Sequence, residues 1–282
     1  MTYLHSQASV NNDESQYVLE ASVDNTRNLS LLLKAIHFRD VATVCATSDG
    51  LKVTVEDTKS VQGNVYIQAS LFHEYVIKEQ TVVFKVNLSV LLECLNVFGN
   101  KNNPNFITTV KICYGGYGSP LVLLLEENGA LTDCKLQTME PDDILDFEFT
   151  PSKVVNKVIM QSEILKEAWA DLDMNSEFLE ILLSPEEPYF QLTTKGTLAT
   201  IHINFTKDSD MIESFECTTT LRNRYQILLI KRSLRALIQS QKVSIRTDDR
   251  GFLCMQYMIK VEGSQCCFVE YLCSPSISEE DT

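Results

Sequence analysis

Four segments of the chain carry leucine and isoleucine at the spacing of an amphipathic helix. In residues 25–38, for example, Leu29, Leu32, Leu33 and Ile36 fall on one face. Such a stripe predicts a helix that packs its apolar side on a core and turns its polar side to solvent. The four predicted helices are residues 25–38, 87–98, 162–172 and 228–241, with Ser162 as the expected N-cap of the third.

Shorter runs of alternating apolar and polar residues surround these helices. This period of two predicts β-strands, and turn sequences such as SDG and EENG separate many of the runs. The predicted strands are residues 17–23, 43–48, 51–57, 64–69, 81–86, 109–114, 121–127, 145–149, 154–160, 179–184, 189–194, 242–246, 252–259 and 267–273.

The two halves of the chain resemble each other. Aligning Leu92 with Leu234 also brings Leu95 onto Leu237, and each half then reads as strand, helix, strands, strand, helix, strands. Such self-similarity predicts an α+β chain of two similar domains built from antiparallel sheets. The predicted divisions are a flexible N-terminus (1–16), domain 1 (17–137), a connector (138–146), domain 2 (147–275) and an acidic tail (276–282).

The charge of the chain is strongly acidic but unevenly distributed. It has 24 Lys+Arg against 38 Asp+Glu, a net charge of -14, so its overall field repels phosphates. Residues 228–242 nevertheless contain Lys231, Arg232, Arg235 and Lys242 and no acidic residue. Because salt screens charges beyond about 8–10 Å, this basic segment can act almost independently of distant acids.

A helical wheel drawn through the basic segment separates charge from apolar surface. With steps of about 100° per residue, the basic side chains form a stripe beside the apolar one. The residues predicted to be buried on this helix are Ile230, Leu234, Leu237 and Ile238. An exposed helix usually mixes both signs of charge, so the missing acids favour an anionic partner.

Several classes of protein are not indicated by the sequence. Residues 1–16 lack the pattern of a signal peptide, and the aliphatic run at 121–125 is too short to span a membrane. The nine cysteines include no C-x-x-C pair, which favours reduced core thiols. We therefore expect a soluble intracellular protein without a metal or another cofactor.

The order of these segments resembles a known family. The stretch from Asn25 to Phe72, together with VNLSVLLECLNVFG and VSIRTDDRGFLCMQYMI, is similar to the Rad-one-type subunit of the DNA-damage checkpoint clamp. That family belongs to the sliding clamps of the PCNA type, and the resemblance covers roughly residues 17–275. It implies a PCNA-like protomer whose helices line the inner face of a ring and whose sheets form the outside.

The resemblance also implies a function and partners. The expected protein is a non-catalytic subunit of a nuclear, heterotrimeric clamp, with two other PCNA-like subunits and a clamp loader as partners. The ring would enclose double-stranded DNA without sequence specificity and serve as a platform for checkpoint and repair proteins, with no membrane partner. The expected DNA-facing residues are Arg27, Lys34, Lys85, Lys101, Lys166, Lys231, Arg232, Arg235 and Lys242.

Two further surfaces are expected by analogy with the clamp family. One is a partner pocket near the connector, formed by Met139, Pro141, Ile144, Leu145, Leu272 and Pro275. Glu56 stands where the replication-clamp pattern has an apolar residue in the wall of this pocket, which argues against a standard clamp-binding peptide. The other is the pairing of strand edges between subunits, for which Val110, Ile112, Leu179 and Ile181 are the nominated residues.

Two alternatives stay open. One is a 3'-5' exonuclease, since acidic clusters occur at residues 140–143, 208–210 and 248–250. Two-metal nucleases need converging carboxylates, and these clusters lie in turn-like stretches without an accompanying catalytic motif. The other alternative is a scaffold that never encircles DNA.

Overall fold

The computed structural model describes residues 16–97, 107–261 and 265–276. The predicted N-terminus therefore lies outside the described residues except for Gln16, and the predicted acidic tail lies outside them except for Ser276. Lys101 is also outside them. The chain divides into two compact units.

The first unit consists of Met1–Val55, Val65–Ile144 and Val261–Cys267. Its described elements follow one another as a strand, a helix, five strands, a helix and three strands, with a short strand after them. They are β1 (Leu19–Val23), α1 (Thr26–Ala35), β2 (Val41–Thr47), β3 (Gly50–Asp57), β4 (Val61–Gln68), β5 (Glu74–Ile77), β6 (Val82–Asn87), α2 (Leu88–Leu95), β7 (Thr109–Tyr114), β8 (Leu121–Glu127), β9 (Ala130–Leu136) and β10 (Thr138–Met139).

The second unit consists of Glu56–Asn64, Leu145–Lys260 and Phe268–Thr282. Its described elements repeat the order of the first unit, except that the second helix is broken into two pieces. They are β11 (Val154–Gln161), α3 (Ser162–Asp171), β12 (Phe178–Leu183), β13 (Phe190–Lys195), β14 (Thr200–Phe205), β15 (Ile212–Cys217), β16 (Leu221–Gln226), α4 (Ile227–Ile230), α5 (Leu234–Gln239), β17 (Ser240–Asp248), β18 (Leu253–Lys260) and β19 (Cys266–Cys273).

Each unit has strands in two antiparallel groups. In the first unit the orders are β5-β1-β7-β8-β9 and β10-β6-β2-β3-β4; in the second they are β14-β13-β12-β16 and β19-β18-β17-β11-β15. The repeated element order confirms the internal repeat predicted from the sequence. In each unit, the apolar faces of the sheets and helices pack against one another in a shared core.

The core of the first unit lies where both of its helices meet both of its sheets. Leu29 and Leu33 of α1, Leu91 of α2, Phe84 of β6 and Ile112 of β7 all line one small apolar cavity of about 40 Å³. Asn25 caps α1 by accepting from the Arg27 backbone N–H, and Asn87 caps α2 by accepting from Val90 N–H. The amphipathic helices were therefore predicted correctly, with ends shorter than the periodicity suggested.

The third helix begins differently from the prediction. Gln161 is its N-cap residue and makes no side-chain capping bond. Ser162, the expected cap, is buried instead, and its hydroxyl lies 2.6 Å from that of Ser240. Leu165, Ala168 and Trp169 form the buried face of α3.

Residues 145–149, predicted as a strand, do not form one. The backbone N–H of Leu145 donates to Glu56 Oε1 at 2.9 Å, and its carbonyl accepts from Gln62 Nε2 at 2.9 Å. Side chains thus occupy backbone groups that a neighbouring strand would otherwise use. Phe147 is nevertheless buried, in a cluster with Cys254 and Leu272, which explains the strand-like alternation.

Candidate nucleic-acid interface

The basic segment of the second unit folds as an interrupted helix. After α4, residues Lys231–Ser233 form a 3₁₀ turn that leads into α5. Ser233 is fully buried at this turn. Its hydroxyl donates to the Ile230 carbonyl at 2.8 Å and accepts from the Tyr257 hydroxyl at 3.0 Å. These bonds fix Ser233 toward the core.

The 3₁₀ turn rotates the end of the segment relative to the predicted helix. A 3₁₀ turn advances about 120° per residue instead of about 100°, so three residues add roughly 60°. Ala236 and Leu237 therefore face the core, whereas Ile238 is 70% exposed and Leu234 is half-buried. The prediction that Ile238 is buried was wrong for this reason.

The solvent side of the segment is only partly basic. Arg235 is exposed and makes no hydrogen bond or ion pair with any residue that the structure describes. Lys231 donates to the backbone carbonyl of Met174, which leaves its charge unneutralised. The apolar side chains of Leu228 and Ile238 share the exposed surface at 69% and 70% exposure.

Arg232 does not lie on the predicted basic face. It forms an ion pair with Asp57, whose side chain is only 4% exposed. The Tyr271 hydroxyl donates to the Arg232 carbonyl at 3.1 Å, which also holds this part of the turn. Arg232 is thus a structural residue, and the prediction that it faces DNA is corrected. Because Asp57 ends a strand far away in the chain, no local sequence pattern indicates this pairing.

Lys242 is also displaced from its predicted position. The helix ends at Gln239, and Lys242 belongs to β17. Its ammonium group lies 2.7 Å from Glu213 Oε1, so its charge is neutralised. The helical wheel was extended past the end of the helix, and it therefore placed Lys242 beside Lys231.

In the first unit, α1 presents the two predicted cations on its solvent side. Lys34 is exposed and Arg27 is half-buried. Next to them, the His37 ring lies 2.8 Å from Ser89 Oγ of α2. Ser89 in turn donates to Asp40 at 2.7 Å.

Two other predicted cations are paired with acids. Lys85 lies on β6 and binds Asp142, and Lys166 on α3 lies 3.3 Å from Glu163. Both therefore offer less positive potential than the sequence suggested. Contact of Arg27, Lys34, Lys231 and Arg235 with phosphates stays a prediction.

The predicted partner-pocket residues fall into two groups. Leu145 and Leu272 pack in one cluster of the second unit, and Pro275 is half-buried in the same unit. The first-unit members are Met139, which is 40% exposed, and the half-buried Pro141 and Ile144. The Glu56 carboxylate accepts hydrogen bonds from Gln62 Nε2 at 2.7 Å and from the backbone N–H of Leu145. It therefore holds the beginning of the segment Leu145–Lys260 in place.

The strands nominated for subunit pairing are not edge strands. In β7, Val110 pairs with Val23 on one side and with Leu125 on the other. In β12, Leu179 pairs with Thr194 and Tyr225. Interior strands have no free backbone groups for another chain, so this nomination is corrected. The nominated side chains Val110, Ile112, Leu179 and Ile181 are all buried in their own units.

The outer strands of these two sheets are β9 and β5 in the first unit and β14 and β16 in the second. Strand β9 carries Leu131, which is 57% exposed. On β14, Thr200, His202 and Asn204 are exposed, while Phe205 is buried. The exposed polar residues made these strands hard to recognise in the sequence.

Two of the three acidic clusters have a member that is engaged in local structure. The fully buried Asp248 accepts from the backbone N–H groups of Arg250 and Phe252 at 3.1 and 2.9 Å, and Asp142 binds Lys85. Within residues 16–97, 107–261 and 265–276, no group of three or more His, Cys, Asp or Glu side chains is placed to hold a metal ion. In the same described ranges, no helix is both long and apolar enough to cross a membrane.

Comparison with known proteins decides the family. The family model described as "Repair protein Rad1/Rec1/Rad17" matches residues 18–259. The chain belongs to this Rad1 family. It is 53% identical over 266 residues to the human "Cell cycle checkpoint protein RAD1", with 94% of each chain covered.

The Rad1-family chain has the fold of a PCNA clamp protomer. It is similar to the crystal structure of PCNA from Thermococcus kodakaraensis, with a TM-score of 0.73 and 19% sequence identity. That similarity covers 92% of this chain and 100% of the archaeal one.

One relative has a name that indicates an enzyme. The chain is 27% identical over 220 residues to "DNA repair exonuclease REC1" of Mycosarcoma maydis. The match covers 60% of this chain and 48% of that protein.

Proposed function

We propose that this Rad1-family chain is a non-catalytic subunit of a heterotrimeric clamp that is loaded on DNA at sites of damage. The observation that carries the proposal is the similarity to both a checkpoint protein and a PCNA protomer over nearly the whole chain. Two other PCNA-like subunits, a clamp loader, and checkpoint and repair proteins are the proposed partners. The proposed location is the nucleus.

The proposed contact with double-stranded DNA is loose and independent of base sequence. The candidate phosphate contacts are Arg27 and Lys34 on the solvent side of α1, and Lys231 and Arg235 on the basic segment of the second unit. A few nonspecific phosphate contacts are sensitive to salt and permit sliding along the duplex. Retention would then come from enclosure of the DNA rather than from affinity.

The outer strands β9 and β14 are the proposed sites of pairing with neighbouring subunits. An outer strand presents free backbone N–H and C=O groups that can add a strand from another chain. The exposed Leu131 supports β9, because an apolar side chain at an edge gains from being covered. Docking of partner proteins around Met139, Pro141 and Ile144 of the first unit, or around Leu145, Leu272 and Pro275 of the second unit, remains part of the proposal.

Assembly is the first property to measure. The chain would be co-expressed with candidate clamp subunits, and the mass of the purified assembly would be determined by native mass spectrometry. A complex with one copy of each of three subunits is expected. A monomer under all co-expression conditions would count heavily against the ring.

Enclosure of DNA is the second property to measure. The assembled clamp and its loader would be incubated with nicked circular DNA and with the same DNA made linear, and then washed with salt. Preferential retention on the circle is expected. Equal retention on both would favour the alternative of a scaffold that does not encircle DNA.

The second candidate function is a 3'-5' exonuclease. The name of the Mycosarcoma maydis relative, "DNA repair exonuclease REC1", favours an exonuclease. Highly purified chain would be compared with an Asp142→Asn, Asp143→Asn, Asp208→Asn, Asp210→Asn variant on labelled single-stranded DNA. Activity that survives these changes would point to contamination. Selective loss of activity would establish an enzyme and contradict the non-catalytic proposal.

A further inference from the structure

The second unit contains a group of cations around one buried carboxylate. Glu180 of β12 has a side chain that is only 8% exposed. The Arg222 guanidinium donates to Glu180 Oε1, and Arg224 Nε donates to Oε2 at 3.3 Å. Lys195 Nζ lies 4.0 Å from the same Oε2. We call Lys195, Arg222 and Arg224 the basic cluster.

The basic cluster lies on one face of the β14-β13-β12-β16 sheet. Glu180 is directly opposite Arg224 on one neighbouring strand and Thr193 on the other. Lys195 is two residues from Thr193 and Arg222 two residues from Arg224, so all point to the same side. The three cationic side chains are 49–58% exposed, which leaves much of their surface open to a ligand.

The basic cluster carries more positive charge than its carboxylate neutralises. Three cations face one anion, which leaves a local charge of +2 in a chain whose net charge is -14. Glu180 is the acid with which each of the three forms an ion pair among the described residues. Glu180 also orients both guanidinium groups, and oriented guanidinium groups bind carboxylate or phosphate well.

An acidic stretch of the same chain begins beside this cluster. The backbone N–H of Ser276 donates to the carbonyl of Arg224 at 2.7 Å, on the outer strand β16. The sequence then continues as Ile277, Ser278, Glu279, Glu280, Asp281 and Thr282. These six residues after Ser276 include three acidic residues and no basic residue.

We propose that the basic cluster is an anion-binding site and that its occupant is the acidic segment Glu279–Asp281. Three residues of extended chain span about 10 Å, so Glu279 can reach the Arg224 guanidinium from Ser276. A tether this short also gives an effective concentration in the millimolar range, which lets weak ion pairs form. The pairing neutralises the +2 charge and closes the site to other anions.

The occupant is tested first in the full-length chain. The side-chain Nε–Hε signals of Arg222 and Arg224 would be recorded by TROSY NMR and assigned from the Arg222→Lys and Arg224→Lys variants. The comparison is between the wild type and a Glu279→Gln, Glu280→Gln, Asp281→Asn variant, which we call the neutralised variant. Both signals are expected to shift, and the Arg235 signal is expected to stay in place. Identical spectra would overturn the proposal.

The site is tested next with a peptide in trans. A fluorescein-labelled peptide of residues 277–282 should bind the neutralised variant at least several-fold more tightly than the wild type, because the wild-type site is already filled. Adding Arg222→Gln and Arg224→Gln to the neutralised variant should abolish binding. Adding Lys157→Gln instead should not, because Lys157 pairs with Glu216 on other strands.

Each result of the peptide experiment decides a part of the proposal. Equal binding to the wild type and the neutralised variant would show that the chain's own segment does not occupy the site. Binding that survives the loss of Arg222 and Arg224 would show that the cluster is not the site. Thermal unfolding of every variant checks that the fold is intact, and Arg222→Lys with Arg224→Lys should restore binding in part.

Discussion

Arg232 and Asp57 form an ion pair inside the second unit, between a 3₁₀ turn and the end of β3, whose last two residues belong to this unit. The Asp57 side chain is 4% exposed and that of Arg232 is 23% exposed. An arginine in the most basic segment of the chain therefore faces its own protein. Arg232 therefore stabilises the fold of the segment, whereas Lys231 and Arg235 of the same segment are candidates for contact with a ligand.

Breaking this pair should destabilise the protein rather than alter DNA contact selectively. Arg232→Gln removes the guanidinium that pairs with the buried Asp57 carboxylate, and breaking a buried ion pair costs about 3–5 kcal/mol. The Asp57→Asn, Arg232→Gln double variant should lose less than the sum of the single changes. Urea unfolding of the four proteins measures the coupling. An Arg232→Gln variant with normal stability but weaker DNA retention would restore Arg232 as a DNA contact.

Because of the 3₁₀ turn, alanine substitutions at two adjacent apolar residues should differ strongly in their effect on stability. Leu237 is 1% exposed, so Leu237→Ala should cost about 2–5 kcal/mol. Ile238 is 70% exposed, so Ile238→Ala should change stability by less than about 0.5 kcal/mol. Thermal or urea unfolding of both variants checks the prediction. A large loss for Ile238→Ala would mean that the regular helix drawn from the sequence was correct.

Much of the fold could be predicted because hydrophobic periodicity reports burial directly. The first helix, the strand at residues 109–114 and the strand at 121–127 are examples. Strands with polar exposed faces, such as Thr200–Phe205 and Leu221–Gln226, were missed because their alternation is weak. Alternation predicts a strand at residues 145–149, but alternation does not show which partner satisfies the backbone.

The candidate site was less predictable than the fold. A helical wheel describes one regular helix, whereas Ser233 and Tyr257 fix a tighter turn through a contact across the chain. Ion pairs such as Lys242–Glu213 also join residues distant in sequence. Local charge therefore identified the basic segment, but only the tertiary structure separated Lys231 and Arg235 from Arg232 and Lys242.

Arg235 and Lys231 should contribute to the salt dependence of DNA retention. Each phosphate contact adds about 0.9 to the slope of log K against log salt. Arg235→Gln and Lys231→Gln in the assembled clamp should each lower this slope by up to about that amount. Lys166→Gln and Lys242→Gln are matched controls, because those cations already pair with acids. Larger effects in the controls than in the tested variants would contradict this assignment.

Glu180 should make the stability of the protein sensitive to acid. Burial alone would raise the pKa of Glu180, but hydrogen bonds from Arg222 and Arg224 and the charges of Arg222 and Lys195 outweigh it, so its pKa is lowered. A carboxyl with a lower pKa in the folded state stabilises the fold above its unfolded pKa, and this contribution is lost as the pH falls through the folded value. The loss should therefore begin below about pH 4.5.

Glu180→Gln should remove this part of the acid sensitivity. At neutral pH the variant should lose about 1–2 kcal/mol, since charged hydrogen bonds are replaced and the three cations are only half-buried. Its urea midpoint should then fall less steeply with acid than that of the wild type. Glu216→Gln is the control on an exposed glutamate whose pKa is also lowered, by Ser214 and Lys157. Parallel pH profiles for wild type and Glu180→Gln would show that Glu180 does not contribute.

The two outer strands of the first unit's β5-β1-β7-β8-β9 sheet, β9 and β5, can be distinguished by charge substitution. Leu131 on β9 and Val76 on β5 are both exposed, at 57% and 42%, so lysine at either position should leave the unit folded. If β9 pairs with a neighbouring subunit, Leu131→Lys places a charge in the contact and should weaken assembly at least about tenfold. Val76→Lys should have no such effect. Native mass spectrometry of co-expressed subunits at decreasing concentration measures the difference, and thermal unfolding of the isolated chains excludes a folding defect. Weakened assembly with Val76→Lys alone would transfer the proposed contact to β5, because only a strand covered by another chain should be sensitive to an added charge.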